Sequence, residues 1–302
     1  MKNKMQKQIS VIIVTYNSEQ HIYNCLDSIF QYNDIGDELE IIIVDNMSKD
    51  VDVMFQRIEG KYGKDVKLIR NTKNGGYGQG NNIGIKVSTG EIILIMNPDV
   101  RLLQPIFKEA INHFQNQRTV MLGMLQMISE TKRGWSFMPK FSQYPIFEIF
   151  ESYLRNKFLC YNYKRMYFSG SCFFIRKSDF EDIGLFNENV FLYGEENYLH
   201  YRMRKLKPEM KFVFDENMKY LHLTDERMPA INSTIQTIDS IVEYYIEKGV
   251  DRNKAVRNQI KYEIKRSIFF KYLRWLKKDY KFVEYYTELI SVLENKLKDP
   301  SL

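Results

Sequence analysis

Glu91-Ile92-Ile93-Leu94-Ile95-Met96-Asn97-Pro98-Asp99-Val100 decides the fold. Its apolar run, bracketed by Gly90 and by the Asn97-Pro98 pair, has the pattern of a short buried strand. Proline has no N–H to give a sheet and disfavours helix at the residue before it, so the chain leaves the sheet there and holds Asp99 near the strand tip. In an open α/β sheet the C-terminal edge is where ligands bind. A hard carboxylate oxygen at that edge suits Mg2+ or Mn2+ carrying a diphosphate. Taken alone, Asn97-Pro98-Asp99 reads first as a cap for the next helix.

The flanking segments supply the rest of an α/β pattern. Ile9 to Thr15 is a β-branched run of the kind that fills buried parallel strands, and it ends at Tyr16-Asn17-Ser18, where Asn17 or Ser18 can cap a helix. Leu39–Val44 predicts a second strand closed by Asp45-Asn46, and Val66–Ile69 a third, with a helix between them. Alternating strands and helices of this kind make a doubly wound sheet. Five glycines within Asn74-Gly75-Gly76-Tyr77-Gly78-Gln79-Gly80-Asn81-Asn82-Ile83-Gly84 let backbone N–H groups approach a ligand before the next helix, or serve only to start that helix. They do not spell a dinucleotide fingerprint, which would have to follow the first strand.

Downstream, the spacing predicts a helix over Pro105 to Phe114, a strand at Val120–Met127, and a strand over Phe168 to Arg176 entered through Ser169-Gly170-Ser171. Lys211–Phe214 and Tyr220–His222 read as two late edge strands. Residues 131 to 165 read as an irregular, aromatic-rich loop and short-helix insertion over the cleft, where acceptors would bind. Glu195-Glu196 follows Gly194 and opens a helix, where carboxylates are favoured by the helix dipole and can also act as a general base. His222 reads as structural, or as a contact to metal or phosphate.

Bulk properties narrow the class. A chain of 302 residues with 44% hydrophobic content supports a large α/β domain, expected over residues 1–230, with a basic, aromatic-rich helical region at 231–302. The net charge of +6 is concentrated: between Lys248 and Lys281 twelve Lys/Arg face three acids. Ile260, Ile264, Ile268, Tyr272 and Leu276 recur every fourth residue among those cations, which suits a packed helix or one lying on an anionic membrane through residues 260–281. No nucleic-acid recognition motif accompanies the charge. Three scattered cysteines with no C-x-x-C suggest a reducing compartment. With neither a signal peptide nor an apolar run long enough to span a bilayer, the expectation is a cytoplasmic protein, or one peripheral on the inner face of the membrane.

Together these motifs resemble the inverting GT-A glycosyltransferases of sequence family 2, above all a bacterial rhamnosyltransferase-like branch, over about Ile9 to Leu223. The resemblance implies a Rossmann-like, mostly parallel central sheet flanked by helices, with a C-terminal helical extension. It implies a nucleotide-diphosphate sugar donor, with dTDP-L-rhamnose ahead of a UDP-hexose, and a glycan or lipid-linked oligosaccharide acceptor. Thr15, Tyr16, Asn17, Asp45, Asn74, Gly76, Tyr77, Gly80, Asn81 and Asn97 would form the donor site, with Asp45 contacting the base. Asp99 would be the metal ligand, joined by His222, and Mg2+ or Mn2+ the cofactor. Glu196 holds the position of the catalytic base, with Glu195 as its rival.

Two departures stand out. The family's Glu-Asp pair, with a further Asp two residues on, is here Glu195-Glu196-Asn197-Tyr198, and the context Leu223-Thr224-Asp225 lacks the usual serine and glycine. A catalytically inactive GT-A binding module is therefore the non-enzyme alternative. The sequence leaves a homo-oligomer open.

Overall fold

The computed structural model describes residues 7–140, 144–223 and 230–299. Thr224 and Asp225 lie outside that set. Among the described residues, nine strands and seven α-helices precede the last sheet strand, and three α-helices follow it. The strands that matter here are β1 (Ile9–Thr15), β2 (Leu39–Asp45), β3 (Val66–Arg70), β4 (Ile92–Met96), β5 (Val100–Leu102), β6 (Thr119–Met127), β7 (Phe137–Pro139), β8 (Met166–Phe168), β9 (Cys172–Arg176) and β10 (Lys211–His222).

Eight of them form one sheet in the order β3-β2-β1-β4-β9-β6-β10-β5. β3, β2, β1 and β4 are mutually parallel, β9 runs antiparallel between β4 and β6, and β10 is parallel to β6. The C-terminal ends of β1, β2, β3, β4, β6 and β10 therefore emerge at one edge, and β9 starts from it. Burial of both faces accounts for the nearly unbroken Ile/Val/Leu runs of β1, β2 and β4, of which Ile12, Ile13, Ile42, Ile43, Ile93 and Leu94 are wholly buried.

The helices include α1 (Glu19–Gln31), α2 (Val51–Tyr62), α3 (Gly76–Val87), α4 (Phe107–Gln115), α5 (Pro145–Phe158), α6 (Lys177–Asp182), α7 (Glu195–Leu206), α8 (Ile231–Glu247), α9 (Arg252–Leu276) and α10 (Tyr280–Leu297). α3 lies tight on the sheet because it carries glycine where it meets β1 and β2. A Cβ at Gly84 would strike Ile12 and Val44, and one at Gly80 would strike Val14 and Asn46.

Three expectations change. The two late edge strands are one strand, β10, interrupted by a register shift between Asp215 and Lys219, and it lies inside the sheet. The edge belongs to β5, a three-residue strand that begins directly after Asp99 and is too short to leave a periodic signal. Within the expected insertion, residues 145–158 form the regular helix α5.

The chain divides into two compact units. One contains the eight-stranded sheet and, among described residues, 7–138, Tyr161–Phe191 and 195–223. The other contains residues 139–160 where described, Leu192–Gly194 and residues 230–299, with a core of Ile238, Val242, Ala255, Ile260, Tyr285, Leu289 and Leu293.

Candidate active site

The edge is organised around the turn after β4. Asn97 N–H donates to Ser171 O (2.8 Å), joining the tip of β4 to the entry of β9, and Arg101 Nη1 donates to Pro98 O (2.9 Å) and Val100 O (2.7 Å). β5 then pairs with the end of β10, placing Val100 opposite His222, and Leu223 N–H donates to Asp99 O (3.1 Å). This brings His222 Nε2 to 3.4 Å from Asp99 Oδ2. Asn97 Oδ1, Asp99 Oδ1 and His222 Nδ1 are buried and have no hydrogen-bond partner. Buried polar atoms are paired as a rule, so three orphans on one turn and its neighbour call for a ligand. A carboxylate oxygen, a carboxamide oxygen and an imidazole nitrogen fit a hard divalent cation that takes its remaining ligands from a diphosphate.

A second grouping, Glu109, His113 and Asp215, brings one ligand atom from each residue within 4.8 Å of the others. His113 Nε2 is 2.8 Å from Asp215 Oδ2 and 3.7 Å from Glu109 Oε1, so both carboxylates address a single ring nitrogen, as in an ion pair. Asp215 pairs with Met124 and Leu221 with Met127, which sets this grouping about 10 Å back along the sheet from the ligand edge. The turn at Asp99 is the better site for a cation that must meet a donor.

The tips of β1 and β2 are stitched together. Asp45 is 1% exposed and accepts hydrogen bonds from Thr15 Oγ1 (2.8 Å), Ser48 N (2.7 Å) and Ser48 Oγ (2.5 Å). Asn17, at φ 50°, donates through its N–H to Ser48 Oγ (2.8 Å) and accepts from Lys49 N (3.1 Å) through Oδ1. The loop after β1 is thereby fixed, with Tyr16 exposed at its surface.

At α3 the structure assigns different work to several expected donor contacts. Gly76 N–H donates to Asn74 Oδ1 (3.1 Å) and Tyr77 N–H to Phe191 O (3.0 Å), so the first N–H groups of the helix are already engaged. Gly76 has φ 87°, and a Cβ there would run into the Phe191 backbone; Gly80 is turned against the sheet. These glycines provide close packing and a left-handed turn where a phosphate cradle was expected. Asn81 Nδ2 donates to Tyr77 O (3.0 Å), while its buried Oδ1 has no partner.

Tyr77 is a strut. Its hydroxyl donates to Gly170 O (2.8 Å), and burial, then Glu196, then Glu195, raise its pKa well above the ordinary tyrosine range. Glu196 lies against Gly170 itself, where a Cβ would collide with Glu196 Oε1. Gly170 precedes Ser171, whose carbonyl holds Asn97, so only a few residues separate the carboxylate from the Asp99 turn. Glu195 is 2% exposed, whereas Glu196 is half-buried and accessible. One helical turn beyond Glu196, His200 is wholly buried, accepts from Phe168 N (3.2 Å), and is held neutral chiefly by that burial.

Beneath the edge, Ser171 Oγ donates to Gln126 Oε1 (3.1 Å), Tyr220 OH donates to the same oxygen (3.0 Å), and the two hydroxyls are 2.9 Å apart. This buried ring ties β6, β9 and β10 together. The sequence marked Ser169-Gly170-Ser171 only as a strand entrance, and its run of small residues was the available signal for Gly170. Gln126 left none, because its partners lie 45 and 94 positions away.

An eight-stranded mixed sheet with a carboxylate-bearing turn after its fourth strand and an acidic helix start beside it is the architecture of the GT-A fold. The profile of "Glycosyl transferase family 2" matches residues 10–184, and the chain belongs to that family. It is 29% identical over 218 residues to the low-salt glycan biosynthesis hexosyltransferase of Haloferax volcanii, covering 68% of this chain and 64% of that protein. The chain thus spans less than two thirds of the length of that relative. Among solved structures, it resembles a mannosyltransferase from Pyrobaculum calidifontis in complex with GDP-Man and Mn2+ (TM-score 0.63, 13% identity, 97% of this chain and 87% of that one). It also resembles residues 1–349 of S. aureus TarS in complex with UDP-GlcNAc (TM-score 0.55, 17% identity, 84% and 71%). At such identities the likeness concerns the fold. None of these three relatives carries the rhamnosyltransferase description that the sequence motifs suggested.

Proposed function

We propose that the chain transfers a hexose, with inversion, from a UDP- or GDP-type donor to a hydroxyl of a growing glycan. The observation that carries this reading is the set of orphaned atoms on Asn97, Asp99 and His222 at the same sheet edge as Glu196. A UDP- or GDP-hexose is preferred over dTDP-L-rhamnose because the solved relatives named above hold GDP-Man and UDP-GlcNAc. A lipid-linked oligosaccharide is the acceptor class proposed from the family resemblance.

Asp99, with His222 and Asn97, would hold Mg2+ or Mn2+, which would offset the negative charge developing on the departing diphosphate. Glu196 accepts the acceptor hydroxyl's proton as that oxygen attacks, and its place beside Gly170 keeps the carboxylate from rotating away. Tyr77 fixes the Gly170 carbonyl and thereby the wall on which Glu196 rests. Tyr16 offers an exposed ring beside the tips of β1 and β2, and Asp45 locks those tips through Thr15 and Ser48.

The test is nucleotide release from a panel of UDP-, GDP- and dTDP-sugars, with and without Mn2+ and with a glycan acceptor. Release dependent on Mn2+ with a UDP- or GDP-hexose is expected. Glu196→Gln should lower turnover by about 10²–10⁴-fold at unchanged donor affinity, and Asp99→Asn should weaken metal-dependent donor binding. Release with dTDP-L-rhamnose alone would restore the rhamnosyl reading, and no donor binding at all would leave an inactive module.

A further inference from the structure

α5 is built inside out. Its inward positions, Glu148, Ser152 and Asn156, are polar, recur every four residues and are at most 7% exposed. Its outward positions are apolar: Ile146, Phe147, Phe150, Tyr153, Leu154 and Phe158, with Phe147, Phe150 and Phe158 exposed by 57%, 59% and 67%. On a 3.6-residue helix these six fall on one continuous stripe. A helix packed only to complete a core in water would show the reverse pattern.

The same inversion continues on α9, within the same unit. Gln259, Glu263 and Ser267 are buried while Ile268, Tyr272, Trp275 and Leu276 are more than half exposed. The reason lies in the spacing. Apolar residues recurring every fourth position advance by about 40° per step around an α-helix, so a stripe that starts in the core at Ile260 has rotated out of it by Ile268. Some of the inward polar groups pair: Tyr262 OH donates to Glu148 Oε2 (2.8 Å), and Arg266 Nη1 pairs with Glu263 Oε2 (3.1 Å), while Glu148 Oε1, Ser152 Oγ and Gln259 Nε2 have no hydrogen-bond partner among the described residues. Tyr144, Pro145, Ile146, Phe147, Phe150, Lys265 and Ile268 line an open apolar groove between the two helices.

Cations frame this surface. The Lys157 ammonium lies 5.9 Å from the Tyr153 ring and 5.8 Å from the Phe158 ring, Lys265 flanks the groove, and Lys261, Lys277 and Lys278 are exposed on and just after α9. Glu151, on the same helix, is bridged by Arg155 (2.8 Å).

We infer that the outward faces of α5 and α9 form a docking surface for an anionic lipid bilayer, with aromatic side chains entering the headgroup boundary and lysines meeting phosphate. Charge complementarity selects this occupant, since aromatic and aliphatic residues rimmed by lysine match the interfacial region of an anionic leaflet. The basic stripe of residues 260–281 supplied half of this surface in the sequence; α5 supplies the other half. The inference stands apart from the transfer reaction proposed above.

The test is co-sedimentation of the full chain with vesicles of phosphatidylcholine alone or mixed with phosphatidylglycerol. The wild-type chain should partition onto the mixed vesicles in preference to the neutral ones, and severalfold less at high salt. Phe147→Asp combined with Phe150→Asp should reduce partitioning tenfold or more, with an unchanged thermal transition and unchanged nucleotide release in solution. Lys157→Glu with Lys265→Glu should abolish the preference for phosphatidylglycerol. The inference is overturned if the wild-type chain sediments with neither vesicle, or if the double aspartate variant binds as wild type does. It is equally overturned if sedimentation velocity shows a dimer that this variant dissolves while vesicles go unbound.

Discussion

Glu196 Oε1 occupies the space that a side chain at Gly170 would need, so the carboxylate and the glycine are fitted to each other. Gly170→Ala should therefore displace the carboxylate while leaving the sheet intact. A misplacement of about 1 Å lowers rates on the order of 10²-fold. Single-turnover transfer should fall by that order while donor affinity holds. An alanine variant with the wild-type rate would separate Glu196 from the chemistry.

Tyr77→Phe removes the hydrogen bond to Gly170 O and leaves a partly buried carbonyl without that donor, a loss of about 0.5–1.5 kcal/mol. Thermal unfolding should shift down by about 1–3 °C. Because the hydroxyl touches the wall and not the donor, KM for the nucleotide sugar should stay near wild type.

Gly84→Ala places a methyl group against Ile12 and Val44. Overpacking of this kind costs about 1–3 kcal/mol, and denaturant melts should show it without loss of donor binding.

Glu148 gives the helical unit a pH dependence. Burial pushes its pKa up to about 7, against the lowering effect of the Tyr262 hydrogen bond. The folded state therefore holds the proton more tightly than the unfolded chain, whose glutamate titrates near about 4.3. The resulting stability is complete below the unfolded value, is lost as pH rises from there through about 7, and changes little above it. Melting curves between these limits should show wild type losing stability relative to Glu148→Gln as pH increases. Parallel curves for the two proteins would contradict this.

Much of the fold could be read from the chain because β1, β2 and β4 are buried on both faces and carry unbroken aliphatic runs. Asn97-Pro98-Asp99 was legible for a local reason, since proline ends the strand wherever it stands. The remainder depended on partners distant in sequence. β5 is three residues long and exists because β10 lies beside it. The glycines before and within α3 read as a ligand loop, since sequence does not distinguish a glycine that admits phosphate from one that admits Val14 or Phe191. α5 was expected only as a short helix within a loop, although Ile146, Phe147, Phe150, Tyr153, Leu154 and Phe158 fall on one stripe; the sequence does not show that this stripe faces outward.

The ring of Gln126, Ser171 and Tyr220 has a bearing on how substrates enter. Three strands clamped to one another so close to their ends cannot splay apart, which makes the floor of the cleft a fixed anvil. Accommodation of a bulky sugar must then come from segments hanging beyond the strand ends, and altered donor preference should be sought by mutating those overhanging segments, with the strands left alone.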